Sequence, residues 1–182
     1  MAFPVLLDTN VLFGAYLCDT VLRLAEAGTF RPLWSADILT ELERNLLLRG
    51  IGDERAARRV AHMADAFPDA LVEGYEPLIG SMTCDPKDRH VLAAAVRANA
   101  ELLVTFNLAD FPREATGPYD LSVSHPDDFL LDQLDLYPGA TVRALRDQAE
   151  AYSQPHMTVT DILIRLSRSG VPQFASEVRR HL

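Results

Sequence analysis

The sequence predicts an α/β fold, in which helices flank a central parallel sheet and a small helical appendage follows. Two runs, residues 3–7 and 102–104, are typical of buried strands because they are short, almost wholly apolar and followed at once by polar residues. Segments with helical periodicity separate the two runs, which is the order expected of a parallel sheet with crossover helices. After residue 125 only helical periodicity remains, and it predicts the appendage.

Shorter signals predict the other elements of the first 125 residues. Ser35 is expected to cap a helix that reaches Arg49 and stops at Gly50. Before it, two helical segments are expected with a break near residues 18–20, and a further helix is expected over residues 53–67. The arginines of that helix, Arg55, Arg58 and Arg59, are most simply a solvated face, with contact to substrate phosphates as the alternative. Short strands are predicted at residues 30–34, 70–73 and 119–124.

The appendage is predicted to contain helices over residues 141–152, 158–169 and 172–182, after a helix that begins at residues 125–127. Its apolar side chains recur at helical spacing and are expected to pack the appendage together or onto the main domain. These side chains are Ile162, Leu163, Leu166, Val171, Phe174 and Val178.

Composition limits the class of protein. The chain has 182 residues, 48% of them hydrophobic, and two cysteines, Cys18 and Cys84, without metal-binding or disulfide spacing. Both cysteines are expected to be buried as small apolar side chains. No apolar run approaches the roughly 20 residues that span a bilayer, and no signal peptide is recognisable. We therefore expect a cytoplasmic protein without a membrane segment.

The net charge of −9 argues against a simple nucleic-acid binder, because affinity for phosphate normally comes from a basic surface. A metal-dependent nuclease partly escapes this objection, since a bound cation neutralises its acidic cluster. An acidic surface would also suit a basic protein partner.

Asp8 follows the first predicted strand, with Thr9 and Asn10 directly behind it. In open α/β sheets, ligands bind at the carboxyl ends of the strands. Carboxylate, hydroxyl and amide oxygens at such an edge suit Mg²⁺ or Mn²⁺ better than zinc or copper. One carboxylate cannot hold a catalytic divalent ion, so further acids are expected from other elements.

Three further stretches could supply these acids. Glu41 lies on the Ser35-capped helix, where periodicity alone does not prefer it over Glu43. Asp85 and Asp88 open an alanine-rich helix, where ordinary capping, at about 1 kcal/mol each, would also explain them. The second strand is followed by three polar residues, Thr105, Asn107 and Asp110.

Together these motifs resemble a PIN domain, the nuclease fold of VapC-type toxins, over about residues 1–125. The motifs that carry the resemblance are Asp8-Thr9-Asn10, Glu41, Asp85-Pro86-x-Asp88 and Val104-Thr105-Phe106-Asn107-x-x-Asp110-Phe111. The resemblance implies a PIN-like three-layer fold, with residues 126–182 as a helical C-terminal extension of the kind found on one branch of these toxins. It also implies catalytic residues Asp8, Glu41, Asp88 and Asp110, metal ligands Asp8, Asp88 and Asp110, and supporting residues Thr9, Asn10, Asp85, Thr105 and Asn107.

The function that the resemblance implies is metal-dependent hydrolysis of RNA with Mg²⁺ or Mn²⁺, leaving 5′-phosphate ends. It also implies a toxin that blocks translation, a cognate antitoxin and a homodimer. Asn107 stands where many PIN sequences have Asp, which lowers the expectation of a firmly bound second metal ion. The histidine nearest these acids, His90, is expected to be a surface group rather than a general base.

Two alternatives remain open from the sequence. A catalytically inactive PIN scaffold that binds RNA or protein fits Asn107 and the acidic charge. A phosphatase of the haloacid dehalogenase type also begins with an aspartate after its first strand, but it requires a second aspartate where Asn10 stands.

Overall fold

A computed structural model describes residues 2–182 and contains one five-stranded sheet in which every pairing is parallel. The strand order is β3-β2-β1-β4-β5. The strands are β1 (Pro4–Leu7), β2 (Arg31–Ser35), β3 (Leu71–Val72), β4 (Leu102–Val104) and β5 (Ser122–Ser124). The predicted α/β fold with a central parallel sheet is confirmed.

Helices connect the strands and continue past the last one. The helices are α1 (Thr9–Phe13), α2 (Ala15–Glu26), α3 (Ala36–Leu48), α4 (Asp53–Ala66), α5 (Arg89–Arg97), α6 (Arg113–Thr116), α7 (Pro126–Leu136), α8 (Pro138–Ala151), α9 (Val159–Arg168) and α10 (Pro172–Val178). Short 3₁₀ turns precede α5 and α6 at Pro86–Asp88 and Leu108–Asp110. Within the described residues, no helix is long and apolar enough to cross a membrane.

The central strands are buried on both faces, which explains their uninterrupted apolar sequence. Val5, Leu6 and Leu7 have no exposed surface, and Leu103 and Val104 of the neighbouring strand are equally buried. Such strands cannot carry polar residues until they leave the sheet, so the first polar side chains stand at the carboxyl ends.

The order of the strands creates a crevice between β1 and β4. From β1 the chain moves outward to β2 and β3 and then crosses to β4 on the other side of β1. Because parallel crossovers are right-handed, this reversal puts the helices before β3 and the crossover helix α5 on opposite faces of the sheet. The carboxyl ends of β1 and β4 therefore flank the topological switch point, where open sheets bind ligands.

Two helical details differ from expectation. The break between the first helices lies at Gly14, which has extended backbone angles of −69° and 123°, and not at residues 18–20. Residues 18–20 stay within α2. The buried Thr20 hydroxyl donates to Gln148 Oε1 at 2.7 Å, so this polar group is satisfied by a tertiary contact without a break in the helix. Arg59 is also half-buried rather than solvated, and its guanidinium donates to the carbonyls of Leu12 and Phe13.

The predicted signals around α3 are confirmed. Ser35 Oγ accepts a hydrogen bond from Ile38 N at 3.2 Å, and the helix ends before Gly50, whose φ is +81°. Both cysteines are buried free thiols, as expected.

The C-terminal helices pack on the main domain around the predicted apolar stripe. All six side chains of the stripe are fully buried. The Phe129 ring meets Phe30 edge to face at 5.1 Å, which joins α7 to the core beneath the sheet. The buried Asp127 carboxylate accepts from the backbone N–H groups of Gln173 and Phe174 at 3.0 and 2.8 Å and so caps α10.

Candidate active site

Asp8 is held at the end of β1 by three hydrogen bonds. Its Oδ1 accepts from Thr9 N at 2.8 Å, and its Oδ2 accepts from Thr105 Oγ1 at 2.8 Å and from Asn10 Nδ2 at 3.2 Å. Burial raises the pKa of Asp8, while the bonds from Thr105 and Thr9 oppose this rise. The carboxylate is thus fixed in position in a partly dehydrated environment, which favours a cation nearby.

Thr105 joins the two strand ends across the switch point. Besides donating to Asp8, its hydroxyl accepts from Asn10 Nδ2 at 3.2 Å and from Asn107 N at 3.1 Å. One hydroxyl has one proton and two lone pairs, so the Thr105 hydroxyl makes every hydrogen bond that it can make. Asn10 completes the network by accepting from Phe106 N at 3.2 Å. These bonds explain why polar residues follow both strands.

Glu41 reaches the same crevice from α3. The Thr9 hydroxyl lies 3.4 Å from Glu41 Oε2 and 3.3 Å from the Ile38 carbonyl, so it donates to both weakly. Glu41 lines the cavity beside Asp8, whereas Glu43 is not among the residues that line it. The tertiary structure thereby decides between two glutamates that periodicity left equivalent.

Asp85 and Asp88 have different surroundings although only three residues separate them. Asp85 Oδ1 accepts from Lys87 N at 3.1 Å and caps the turn that leads into α5. Asp88 caps nothing: its Oδ2 is buried and has no hydrogen-bond partner. The capping interpretation is therefore confirmed for Asp85 and wrong for Asp88.

The pKa of Asp88 is raised to about 6. Burial is the main cause, and the negative charges of Asp110, Asp8 and Asp85 add to it, while Lys87 opposes it. An unpartnered carboxylate with like charges around it is the local environment that a divalent cation would relieve.

Asp110 stands at the rim of this cluster. Lys87 Nζ lies 4.0 Å from Asp110 Oδ2 and 4.0 Å from Asp88 Oδ2, so one ammonium bridges the two aspartates at long distance. Asp110 is not among the residues that line the cavity itself. The place between these two carboxylates already attracts a cation.

The strand ends, α3 and α5 enclose a cavity of about 470 Å³. It brings together three of the four predicted acids and three of the predicted supporting residues. Its walls are formed by Asp8, Thr9, Asn10, Phe13, Glu41, Asn45, Leu48, Arg49, Asp88, Val91 and Asn107.

Five side chains of the cavity were not predicted as site residues from the sequence: Phe13, Asn45, Leu48, Arg49 and Val91. Asn45 and Arg49 follow Glu41 by four and eight residues, and that spacing puts them on one face of α3. This signal was present in the sequence. Phe13 offered none, because it is a single aromatic residue at the end of a five-residue helix.

His90 is the one histidine beside the acids, and the expectation of a surface group is wrong. Its side chain is 20% exposed, and its Nε2 lies 3.7 Å from Glu41 Oε2. Its other ring nitrogen, Nδ1, is buried without a partner. The ring reaches this position because it follows Asp88 by two residues at the start of α5.

The side chains fit a hard divalent cation in their chemistry. Asp8 and Asp88 supply carboxylate oxygens at one cavity, and the orphaned Asp88 Oδ2 has a free coordination site. Within residues 2–182, no three acidic, histidine or cysteine side chains are already arranged around one metal position.

Comparison with known families agrees with this geometry. The family model described as "PIN domain" matches residues 4–109, which is more than half of the chain and includes every element around the cavity. The chain belongs to the PIN-domain family. Membership of this family excludes the haloacid dehalogenase alternative. It also explains why the motifs with Asp8, Glu41, Asp88 and Asp110 occur in this order.

The PIN-domain protein also has a recognisable C-terminal part. A second family model, described as "VapC50 C-terminal domain", matches residues 126–180. A protein of Mycobacterium tuberculosis with the curated name "Putative ribonuclease VapC50" is 50% identical over 111 residues. The aligned region covers 61% of this chain and only 65% of that relative's length. No solved structure matches the chain.

Proposed function

We propose that the protein is a metal-dependent endoribonuclease that hydrolyses phosphodiester bonds of RNA. The observation that carries this proposal is the cavity at the switch point, where Asp8, Glu41 and Asp88 meet and Asp88 Oδ2 has no hydrogen-bond partner among residues 2–182. Membership of the PIN-domain family and the ribonuclease named among its relatives support the reaction class.

The surroundings of each cavity residue suggest its role in the reaction. Asp8 and Asp88 would hold Mg²⁺ or Mn²⁺, and Asp110 would hold a second ion or its water. When bound, the ion supplies a Lewis acid for the phosphodiester and lowers the pKa of the attacking water. Thr105, Asn10 and the Thr9 amide keep Asp8 in place, and Asp85 holds the turn that carries Asp88. Asn107, whose N–H donates to Thr105 Oγ1, would help to orient the ligands. Glu41, steadied by Thr9, orients the water.

The biological role follows from the VapC resemblance. We infer a toxin that cuts RNA in the cytoplasm and blocks translation, and a small antitoxin that covers the cavity. A homodimer is part of the same proposal. We further propose that residues 1–125 form the nuclease domain and residues 126–182 a separate C-terminal extension, which the second family match supports.

The test uses total RNA from the host, with Mg²⁺ or Mn²⁺, and maps fragment ends by sequencing. We expect discrete cuts with 5′-phosphate ends that disappear in EDTA and in Asp8→Asn. Asp135→Asn, an exposed aspartate on α7, serves as the matched control and should cut like the wild type. Cuts that survive Asp8→Asn would contradict the proposed site.

A catalytically inactive scaffold is the second candidate, favoured by the net charge of −9 and by Asn107 in an otherwise acidic set. It predicts that a folded, metal-loaded protein binds RNA or a protein partner and leaves every RNA intact. The same incubation distinguishes the two, because only the nuclease produces ends.

A further inference from the structure

One part of the cavity wall carries no carboxylate and differs in chemistry from the rest. It is formed by Phe13, Leu48 and Arg49, and Arg49 is the one cation among the residues described as lining the cavity. We propose that this wall is a subsite for a single-stranded RNA nucleotide next to the scissile phosphate. Arg49 binds the neighbouring phosphate, and Phe13 and Leu48 pack against its base or ribose.

Arg49 is available for a ligand. Its guanidinium carbon lies 5.6 Å from the centre of the Phe13 ring, a cation–π arrangement. In the described part of the chain, no carboxylate forms an ion pair with Arg49. Arg59 beside it differs, because its guanidinium is already bound to the carbonyls at the end of α1.

Phe13 is held where it can act as a platform. Arg59 Nη1 donates to the Phe13 carbonyl at 2.9 Å, and the Phe13 ring is half-buried, so one part of it remains accessible. Leu48, at 78% exposure, adds apolar surface to the same wall. An aromatic face, an apolar side chain and an unpaired guanidinium are the groups with which proteins bind unpaired nucleotides.

Position along α3 separates this wall from the carboxylates. Arg49 follows Glu41 by eight residues, or about 12 Å along a helix axis at 1.5 Å per residue. This separation is compatible with two neighbouring phosphates of one strand, one at the acids and one at Arg49. Arg49 also adds a positive charge to a cavity lined by three carboxylates, and this charge reduces the repulsion of an RNA strand.

This inference rests on the proposed function for its substrate, but binding tests it without cleavage. In the Asp8→Asn background, the affinity for a fluorescein-labelled 12-nucleotide single-stranded RNA of mixed sequence is measured by anisotropy in Mg²⁺ at 50 to 200 mM KCl. We expect Arg49→Ala to weaken binding at least about fivefold and to lower the salt slope by about 0.7, the value of one phosphate contact on a single strand. Arg49→Lys keeps the charge and should retain the slope.

Arg44→Ala is the matched control, because Arg44 is an exposed arginine of the same helix that does not line the cavity. It should leave affinity and slope within twofold of the background. Phe13→Leu should weaken binding by about fivefold or more without changing the slope, since stacking is insensitive to salt. Thermal melts verify that each variant is folded.

Equal effects of Arg49→Ala and Arg44→Ala would overturn the subsite, as would a folded Asp8→Asn protein that does not bind the RNA at 50 mM KCl. If Arg49 instead binds a carboxylate of a protein partner, Arg49→Ala and Arg44→Ala should likewise have equal effects on RNA binding. Failure of the proposed function is distinct: if the wild type never cuts but Arg49→Ala still changes the salt slope, the subsite belongs to a binding scaffold.

Discussion

The two halves of the acidic cluster are built in opposite ways. Asp8 accepts three hydrogen bonds and stands on a strand that has no exposed surface at its last three residues. Asp88 stands on a 3₁₀ turn. Within residues 2–182 its Oδ2 has no hydrogen bond, and its one ion pair to a lysine or arginine is with the exposed Lys87 at 4.0 Å. The protein satisfies the first carboxylate with its own hydrogen bonds, whereas the described residues offer no hydrogen bond to Oδ2 of the second.

The difference shows how a site can hold several carboxylates close together despite their mutual repulsion. Four carboxylates cannot all be neutralised by protein hydrogen bonds without losing their capacity to bind metal. Here Asp8 is held by hydrogen bonds, and Asp88 keeps an oxygen that has no hydrogen bond within the described residues. Substitutions in the two halves should therefore affect activity alike and stability differently.

The largest effect is expected from Asp88→Asn. Cleavage should fall about a thousandfold or more, because a metal ligand contributes several kcal/mol to the transition state. The raised pKa means that the folded state disfavours the ionised carboxylate, and this cost is present above pH 6 and absent below about pH 4, where both folded and unfolded forms are protonated. Metal-free Asp88→Asn should therefore melt higher than the wild type at pH 7 and equally at pH 4.

Asp85→Asn is the control for that comparison. Asp85 is an exposed cap on the same turn, and asparagine caps as well as aspartate, so its melting temperature should stay near the wild-type value at pH 7. Destabilisation by Asp88→Asn in EDTA would contradict the view of Asp88 as an unsatisfied acceptor.

Thr105→Val should damage the half of the cluster around Asp8. It removes the donor to Asp8, one of the two acceptors of Asn10 Nδ2 and the acceptor of Asn107 N. We expect Mn²⁺ affinity, measured by calorimetry, to fall about 10- to 100-fold and the free energy of unfolding to drop by about 1–3 kcal/mol. Thr116→Val is the matched control, since that buried hydroxyl makes only one long bond, at 3.5 Å. Equal losses of Mn²⁺ affinity in both variants would contradict a positioning role for Thr105.

The Mn²⁺ affinity of the wild type should depend on pH. With the pKa of Asp88 at about 6, protons compete with the metal below that pH, so the affinity should fall by up to about tenfold per unit between pH 6 and pH 5 and stay nearly level above pH 7. Calorimetry at four pH values measures this. In Asp88→Asn the dependence should be weaker, and an unchanged profile would assign the titration to another group.

The smallest effect tests whether the C-terminal helices support the half of the cluster around Asp8. A Cβ at Gly170, in the turn before α10, would lie 2.7 Å from the Phe106 ring, which directly follows Thr105. Gly170→Ala should therefore cost about 1 kcal/mol more than Gly50→Ala, which has a similar positive φ and open space around it. Chemical denaturation measures both. If Gly170→Ala costs no extra stability in a Phe106→Ala background, the extra cost comes from the contact with the Phe106 ring.

Local signals in the sequence predicted much of the fold and most of the site. Apolar runs that end in polar residues located β1 and β4, and Ser35 and Asp85 cap the helix and turn that they were expected to cap. Such signals are readable because strand burial and capping depend on residues only a few positions apart. The eight-residue spacing from Glu41 to Arg49 was equally readable and was missed.

The tertiary structure decided what depends on distant neighbours. Only the strand order puts Thr105 beside Asp8, and only the packing of α3 selects Glu41 over Glu43. Only the folded chain brings the charges of Asp110 and Asp8 near Asp88 and so raises its pKa. The sequence by itself determined which residue types stand at the ends of elements, because these are local choices. Which of them meet, and with what charge, depended on chain crossings that bring together residues about a hundred positions apart.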